Sequence, residues 1–409
     1  MSTAARPPGV TGAWAPLRHR EFALLWLAGL ISNIGGWMHD MAAGWYMTTL
    51  DPTPSMVALV QVANTLPVCL LALPAGTLAD RMNRRQLLLV VQWCMLLLAA
   101  LLGTLILLGH AGVMTLILIT LGMGACVAVV SPTWQSIMPG LVPREDLQQA
   151  VALHAVGMNI SRAIGPAIAG IVIAVCGIAW PFLINALSFL AVILALWWWR
   201  PRPTAPRAGP HEPFLMALRA GFVQAGANKA LRHTLWRSVL FYVFGSCYWA
   251  LLPLVAHEQL QGGPKLFGVL VGCIGAGAVA GAIWMPRLRA RWGLDRLLDA
   301  GTLATAAAMA GYALFRVPVL GMLTSLLAGA AWLASLSTLN VAAQLAVPDS
   351  LRARGMALYT SVFYGCLALG SLLWGQIATL LHLTGALLLA AVGAVVAMVL
   401  AGRRLPLRP

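Results

Sequence analysis

Twelve runs dominated by apolar side chains follow one another along the 409-residue chain, divided by short stretches of arginine, proline, glycine and asparagine. They fall near 22–48, 55–79, 86–109, 112–138, 149–176 and 179–199, then near 234–257, 265–286, 294–315, 318–343, 352–381 and 384–402. A helix rising about 1.5 Å per residue needs about 20 residues to cross a bilayer core of about 30 Å, and each run supplies roughly that. Composition closes off other outcomes: 60% of residues are apolar, 9% are charged and mean hydropathy is +0.85. A soluble domain carries about 25% charged residues. Too few are present to cover a water-facing surface, which excludes a soluble enzyme, a nucleic-acid-binding domain and a disordered chain. The first run is too long for the core of a cleavable signal peptide. The reading is an all-α membrane protein with twelve transmembrane helices.

The runs divide six and six about a Pro/Arg-rich stretch that cannot span. Five segments follow: an N-terminal tail (1–21), a first six-helix bundle (22–199), a linker (200–233), a second bundle (234–402) and a C-terminal tail (403–409). Within the linker, Phe214, Leu218, Phe222 and Ala225 recur at helical spacing and suggest a surface helix. The net charge of +15 does not imply a nucleic-acid partner, because the basic residues sit in loops. With both termini on one side, that side holds 23 of the 26 Lys and Arg residues, the other holds Lys265 and Arg316, and Arg162 stays inside a span. Basic loops stay cytoplasmic, so both termini are expected inside a bacterial inner membrane. Seven cysteines in or beside apolar runs read as packing rather than a disulfide framework.

An internal repeat supports two pseudo-symmetric bundles. At a constant offset of 205, Gly76 pairs with Gly281, Arg84 with Arg289, Val142-Pro143 with Val347-Pro348, Gly165 with Gly370 and Gly170 with Gly375. Inverted and parallel repeats of this size are a mark of transporters.

Between runs two and three the chain reads Gly76-Thr77-Leu78-Ala79-Asp80-Arg81-Met82-Asn83-Arg84-Arg85. This resembles the signature loop of the major facilitator superfamily, Gly-x-Leu-Ala-Asp-Arg-x-Gly-Arg-Arg, with a degenerate copy at Gly281 to Arg291 that has Met285 in place of the acid. Asn83 stands where the family has glycine, and asparagine also tolerates positive φ. The resemblance implies that Gly76, Asp80, Arg81, Arg84 and Arg85 form a conformational latch, with Asp80 meeting the start of the eleventh helix at Pro348-Asp349-Ser350. The same residues read equally as a topology determinant.

In run five, Asn159 to Gly170 contains Gly165-Pro166-Ala167-Ile168-Ala169-Gly170. It resembles the Gly-Pro-x-x-x-Gly element of exporters in that superfamily, which implies a seal between the halves at Gly165, Pro166 and Gly170. A proline-kinked packing helix is the plainer alternative. Asp40 and Arg162 are the charges at membrane depth that most need a reason. Apolar surroundings favour a protonated carboxyl and a nearby arginine favours the anion, so a carboxylate poised between them suits a proton carrier. Asp40, Arg162 and, secondarily, His154 are the proton-coupling candidates. A structural Asp40–Arg162 pair, or Asp40 solvated at a helix end, stays open. His39 adjoins Asp40 but points about 100° away on a helix.

Asn33, Trp37 and Gln61 from the first half, with Tyr242, Asn340 and Tyr364 from the second, are the substrate-cavity candidates, since bulky ligands take apolar walls with a few polar groups. Metal-ligand spacing and a Walker loop are both missing from the sequence; Gly275 to Gly281, inside an apolar run, reads as close helix packing. The wording Ser32-Asn33-Ile34-Gly35-Gly36-Trp37-Met38, Leu66-Pro67 and Val142-Pro143-Arg144-Glu145-Asp146-Leu147 is similar to the transmembrane secretion effector branch, which contains siderophore exporters and macrolide efflux pumps. The resemblance implies a monomeric, proton-coupled exporter of a small organic molecule, driven by the proton gradient without a cofactor or catalytic residue. An importer or facilitator, or a non-transporting membrane scaffold, remain alternatives.

Overall fold

Helix length sets the architecture. In a computed structural model that describes residues 12, 14–200, 228–348 and 352–407, ten helices are long and apolar enough to cross a membrane. Within them, the side chains at 72, 73, 76, 77, 79–81, 352–354 and 403 lie outside the described set. In chain order the helices are α1 (Arg20–Leu50), α2 (Pro54–Arg81), α3 (Arg84–Leu107), α4 (Val113–Ile137), α5 (Leu147–Cys176), α6 (Trp180–Trp198), α7 (Lys229–Leu254), α8 (Pro264–Leu314), α9 (Pro318–Leu345) and α10 (Arg352–Arg404). The described residues form no strand.

At 51 and 53 residues, α8 and α10 would each run about 77 Å or more if straight, over twice a bilayer core. Each breaks instead. Gly293 (φ 71°, ψ 178°) splits α8, and His382 (φ 59°, ψ 166°) splits α10. Both breaks lie between predicted runs, so the ten helices make twelve passes. α7 begins at Lys229, five residues before the predicted second bundle, because Asn228 caps it by accepting from Leu231 N–H at 3.0 Å. The proposed linker helix at 214–225 falls outside the described residues.

The repeat is visible as geometry. A Cβ on Gly165 would sit 2.7 Å from Trp37 Cβ and 2.9 Å from Ile34 O, and one on Gly370 would sit 2.9 Å from Val243 O. These glycines let α5 approach α1, and the first arm of α10 approach α7, at equivalent places. Large apolar side chains such as Leu107, Leu118, Leu187 and Leu380 are exposed on the outside, where lipid would cover them. Below, the end holding the loops near 82, 140, 293 and 346 is the arginine-rich end, and the opposite end is arginine-poor.

Candidate functional site

The two halves meet along two seams, α5 with α8 and α2 with α10. Glycine makes the first. A Cβ on Gly170 would lie 2.7 Å from Pro264 O, one on Gly275 would lie 2.7 Å from Ala163 Cα, and one on Gly268 would strike Pro166 O. Positions 163, 166 and 170 thus face 268, 272 and 275, a small-residue zipper at helical spacing. In the second seam, Gly375 packs on Ala58 and on Pro54 O, Gly365 meets the Cys69 sulfur, and Cys69 Sγ donates to Ser361 O at 3.4 Å. Between the seams, Gly44 packs on Pro253 and Phe267, while Trp45 lies 5.6 Å from His257 and 6.0 Å from Phe267, ring centre to ring centre. These contacts close the arginine-poor end.

Toward the arginine-rich end the α5–α8 seam stops. The zipper face continues on α8 through Val279, Ala282 and Pro286 and on α5 through Val156 and Ala152, all exposed. Along this seam the helices therefore part about 17 Å in from the start of α8, near mid-depth, while the Cys69–Ser361 contact still joins the other seam about 22 Å in from the start of α2.

Asp40 sits one turn inside the closed end. Asn33, Trp37, Asp40 and Gly44 share one face of α1, and Gly44 already touches the second half. The Asp40 side chain is exposed, and Asn64 Nδ2 donates to its Oδ1 at 3.3 Å. Arg162, midway along α5, places its guanidinium 5.0 Å from the centre of the Trp37 ring. Its Nε is buried without a hydrogen-bond partner, and Tyr248 and Tyr364 of the second half lie within electrostatic range. An Asp40–Arg162 pair is not formed; among the described residues the ion pairs are His19–Asp146, Arg237–Asp295 and Arg237–Asp299. A guanidinium–indole contact contributes about 0.5–2 kcal/mol, whereas taking an ion out of water costs several. Trp37 alone does not offset the burial of Arg162.

The other expected residues distribute unevenly. Asn33 and His154 line a small hollow with Trp26 and Trp134, where the His154 and Trp134 rings stack at 6.5 Å. His154 is about two turns of α5 away from Arg162. His39 is buried edge-on to Phe182 at 4.8 Å. Gln61 is half-buried in α2. Tyr364 is half-buried with its ring 4.9 Å from that of Phe363, and Tyr242 does not reach a cavity: it is fully buried among Phe241, Trp332 and Phe363, with its hydroxyl 2.8 Å from that of Tyr359. Asn340 accepts from Gln344 Nε2 at 2.6 Å one turn along α9.

The signature loop divides likewise. Gly76, Asp80 and Arg81 have side-chain positions outside the described set. Arg84 Nη1 donates to Ser136 O at 3.0 Å, and Arg85 donates to Leu196 O at 2.7 Å and Trp197 O at 2.9 Å. Both satisfy last-turn carbonyls of α4 and α6, which have no partner inside their own helices. Asn83 corrects the sequence reading: its φ is −62°, and its side chain caps α3 by accepting from Arg85 N–H and Gln86 N–H. Sequence reasoning missed Arg237, counted among loop arginines but buried between Asp295 and Asp299, and the His19–Asp146 contact at 2.8 Å.

Two pseudo-symmetric six-span bundles meeting along α2–α10 and α5–α8 define a major facilitator transporter. The nucleoside transporter NupG shares this fold (TM-score 0.80, 13% identity, covering 93% of this chain and 98% of that one), as does a bacterial homologue of the iron transporter ferroportin in an inward-facing state (0.69, 17%, 94% and 99%). The profile of the transmembrane secretion effector family matches residues 11–409, and the chain belongs to that family, one of transporters rather than enzymes. The staphyloferrin A transporter of Staphylococcus aureus is 27% identical over 258 residues, 62% of this chain, which spans 64% of that relative's length. The enterobactin exporter of Escherichia coli is 25% identical over 373 residues, 89% of this chain and 86% of that one.

Proposed function

We propose that the protein exports a small amphiphilic or aromatic organic molecule, of the kind that includes siderophores, in exchange for protons by alternating access. The arginine-rich end is the cytoplasmic one, by the charge bias of the loops, so the arrangement described above is inward-facing. One observation supports the reading: Asp40, which has no ion-pair partner among the described residues, is exposed one turn from the Gly44 contacts that close the far side. An acid there is reached by protons from one side in this state and from the other once the seams exchange, which is what coupling to a gradient requires. Relatives that transport staphyloferrin A and export enterobactin support the substrate class. The Gly76–Arg85 loop is the latch that closes the cytoplasmic side in the opposite state.

Everted membrane vesicles test this, with staphyloferrin A and enterobactin as probes. The wild-type chain is expected to accumulate one or both when the lumen is acidified. Asp40→Asn is expected to reduce that accumulation to the level of vesicles lacking the protein, while equilibrium binding persists. Undiminished accumulation by Asp40→Asn rejects the proton role.

A further inference from the structure

Arginines elsewhere in the described structure show what a structural arginine looks like here. Arg84 and Arg85 hold helix-end carbonyls, Arg289 donates to Ser337 Oγ at 3.0 Å, and Arg237 is clasped by two aspartates. Arg162 departs from that pattern. It forms no hydrogen bond among the described residues, its Nε is buried and unpartnered, and the nearest assigned contact is the face of Trp37. Asp40 does not neutralise it, being held by Asn64.

Its position is as informative as its isolation. Arg162 precedes Ala163, the innermost residue of the α5–α8 zipper. Tyr364 precedes Gly365, which meets Cys69 in the other seam. Arg162 therefore stands where α5 and α8 part, and Tyr364, beside the α2–α10 contacts of the other half, lies within electrostatic range of it. A guanidinium is a planar fork of donors suited to a carboxylate or phosphate, and it remains charged in any protein environment. With one face on Trp37 and Nε buried, the terminal Nη atoms are left for a ligand entering from the open side.

We propose that Arg162 anchors an anionic group of the transported molecule, so that the substrate class is an organic acid with a flat apolar part lying against Trp37 and Tyr364. The assignment rests on the exporter reading only for the ligand's entry into the crevice. Arg162 then belongs to substrate recognition, and proton transfer is left to Asp40. A ligand held there touches both halves at their line of separation, so its binding favours one arrangement of the halves over the other.

The test uses the purified full chain with no gradient, and 1-naphthoate and 1-naphthamide as matched anionic and neutral probes in equilibrium dialysis. The wild-type chain is expected to bind naphthoate about tenfold or more tightly than naphthamide, the scale of a hydrogen bond to a charged group. Arg162→Met removes the charge together with its desolvation cost and is the variant expected to fold; it should bring the two probes within about twofold of each other. Arg162→Lys should restore part of the preference. Equal binding of the probes to the wild-type chain, absence of saturable naphthoate binding, or a preference that survives in Arg162→Met overturns the proposal. Because no gradient is present, an anion preference in a chain that fails to export in vesicles leaves this site standing and removes the exporter reading. Proton-driven export without that preference does the reverse.

Discussion

The two halves share a backbone plan and differ in what they do with charge. At the offset that aligns their glycines, Asp40 corresponds to Gly245 and Arg162 to Leu367. In the first half both positions hold a charge without an ion-pair partner among the described residues. In the second, a Cβ on Gly245 would already lie 3.0 Å from the Trp332 ring, and Leu367 is buried. Trp37 corresponds to Tyr242, and the same contrast holds: Trp37 sits beneath Arg162, while Tyr242 is locked among Phe241, Trp332 and Phe363. The second half confines its buried arginine to the arginine-rich end, where Arg237 is clasped by Asp295 and Asp299 and Leu407 N–H donates to Asp295 at 3.0 Å. The halves share one frame, and what fills it differs: at these positions the first half carries charge and the second a cluster of packed aromatic rings.

The largest expected effect comes from forcing the halves to match. Gly245→Asp adds volume against Trp332 and a carboxylate with no partner, each a change worth several kcal/mol. Loss of monodisperse protein in detergent is the expected outcome, measured by fluorescence-detected size exclusion. Asp40→Asn, in the equivalent place of the first half, is expected to leave the elution profile unchanged. Equal tolerance of both would dissolve the contrast.

Smaller in its effect on folding, and confined to one seam, is Gly268→Val. Its Cβ would strike Pro166 O across the α5–α8 zipper, and that seam can yield by separating the halves. Thermal stability is expected to fall by about 1–2 kcal/mol, within the usual range for overpacking. The closed end should open, so that a Phe267→Cys reporter, buried there against Trp45, gains reactivity toward a membrane-impermeant maleimide in a chain whose exposed Cys94 and Cys176 are replaced by serine. Gly277→Val is the control. Its Cβ would strike Leu326 O between α8 and α9, inside one half, where there is no seam to relieve the clash. It should destabilise more and leave the Phe267→Cys reporter silent.

Much of this was legible in the sequence, for physical reasons that also mark where legibility stops. A bilayer demands long apolar helices, so the twelve passes and the breaks at Gly293 and His382 follow from hydropathy alone. Glycines at a constant offset mark backbone approach, which a Cβ would forbid, and Gly165, Gly170, Gly370 and Gly375 all lie at such approaches. Asp40 and Arg162 stood out because charge at depth is costly. Which way a neutral aromatic faces has no such signal. Tyr242 and Tyr364 look alike in sequence, yet one is fully buried and the other only half-buried. Nor could spacing reveal that Arg237 reaches aspartates 58 and 62 residues away, since that pairing is made by the packing of α7 against the second arm of α8.

The finest distinction separates the two loops that the repeat makes equivalent. In the first half the chain turns at Met82-Asn83 with ordinary backbone angles, and the Asn83 side chain caps α3, accepting from Arg85 N–H at 3.1 Å and Gln86 N–H at 3.4 Å. In the second half the helix runs on past the corresponding position and turns at Gly293, whose φ of 71° and ψ of 178° lie in a region that side chains avoid. One turn is made by a hydrogen-bonding side chain and the other by the absence of one. Asn83→Ser keeps a capping oxygen and is expected to change stability by less than about 0.5 kcal/mol, while Asn83→Ala should cost about 1 kcal/mol. Gly293→Ala should cost about 1–3 kcal/mol, since only glycine adopts those angles without strain. Chemical denaturation in mixed micelles reads all three. If Asn83 were instead selected for a left-handed backbone, Ser would cost as much as Ala. A Ser variant that matches the wild-type chain beside a weakened Ala variant therefore assigns Asn83 to capping and leaves glycine-specific geometry to the second loop.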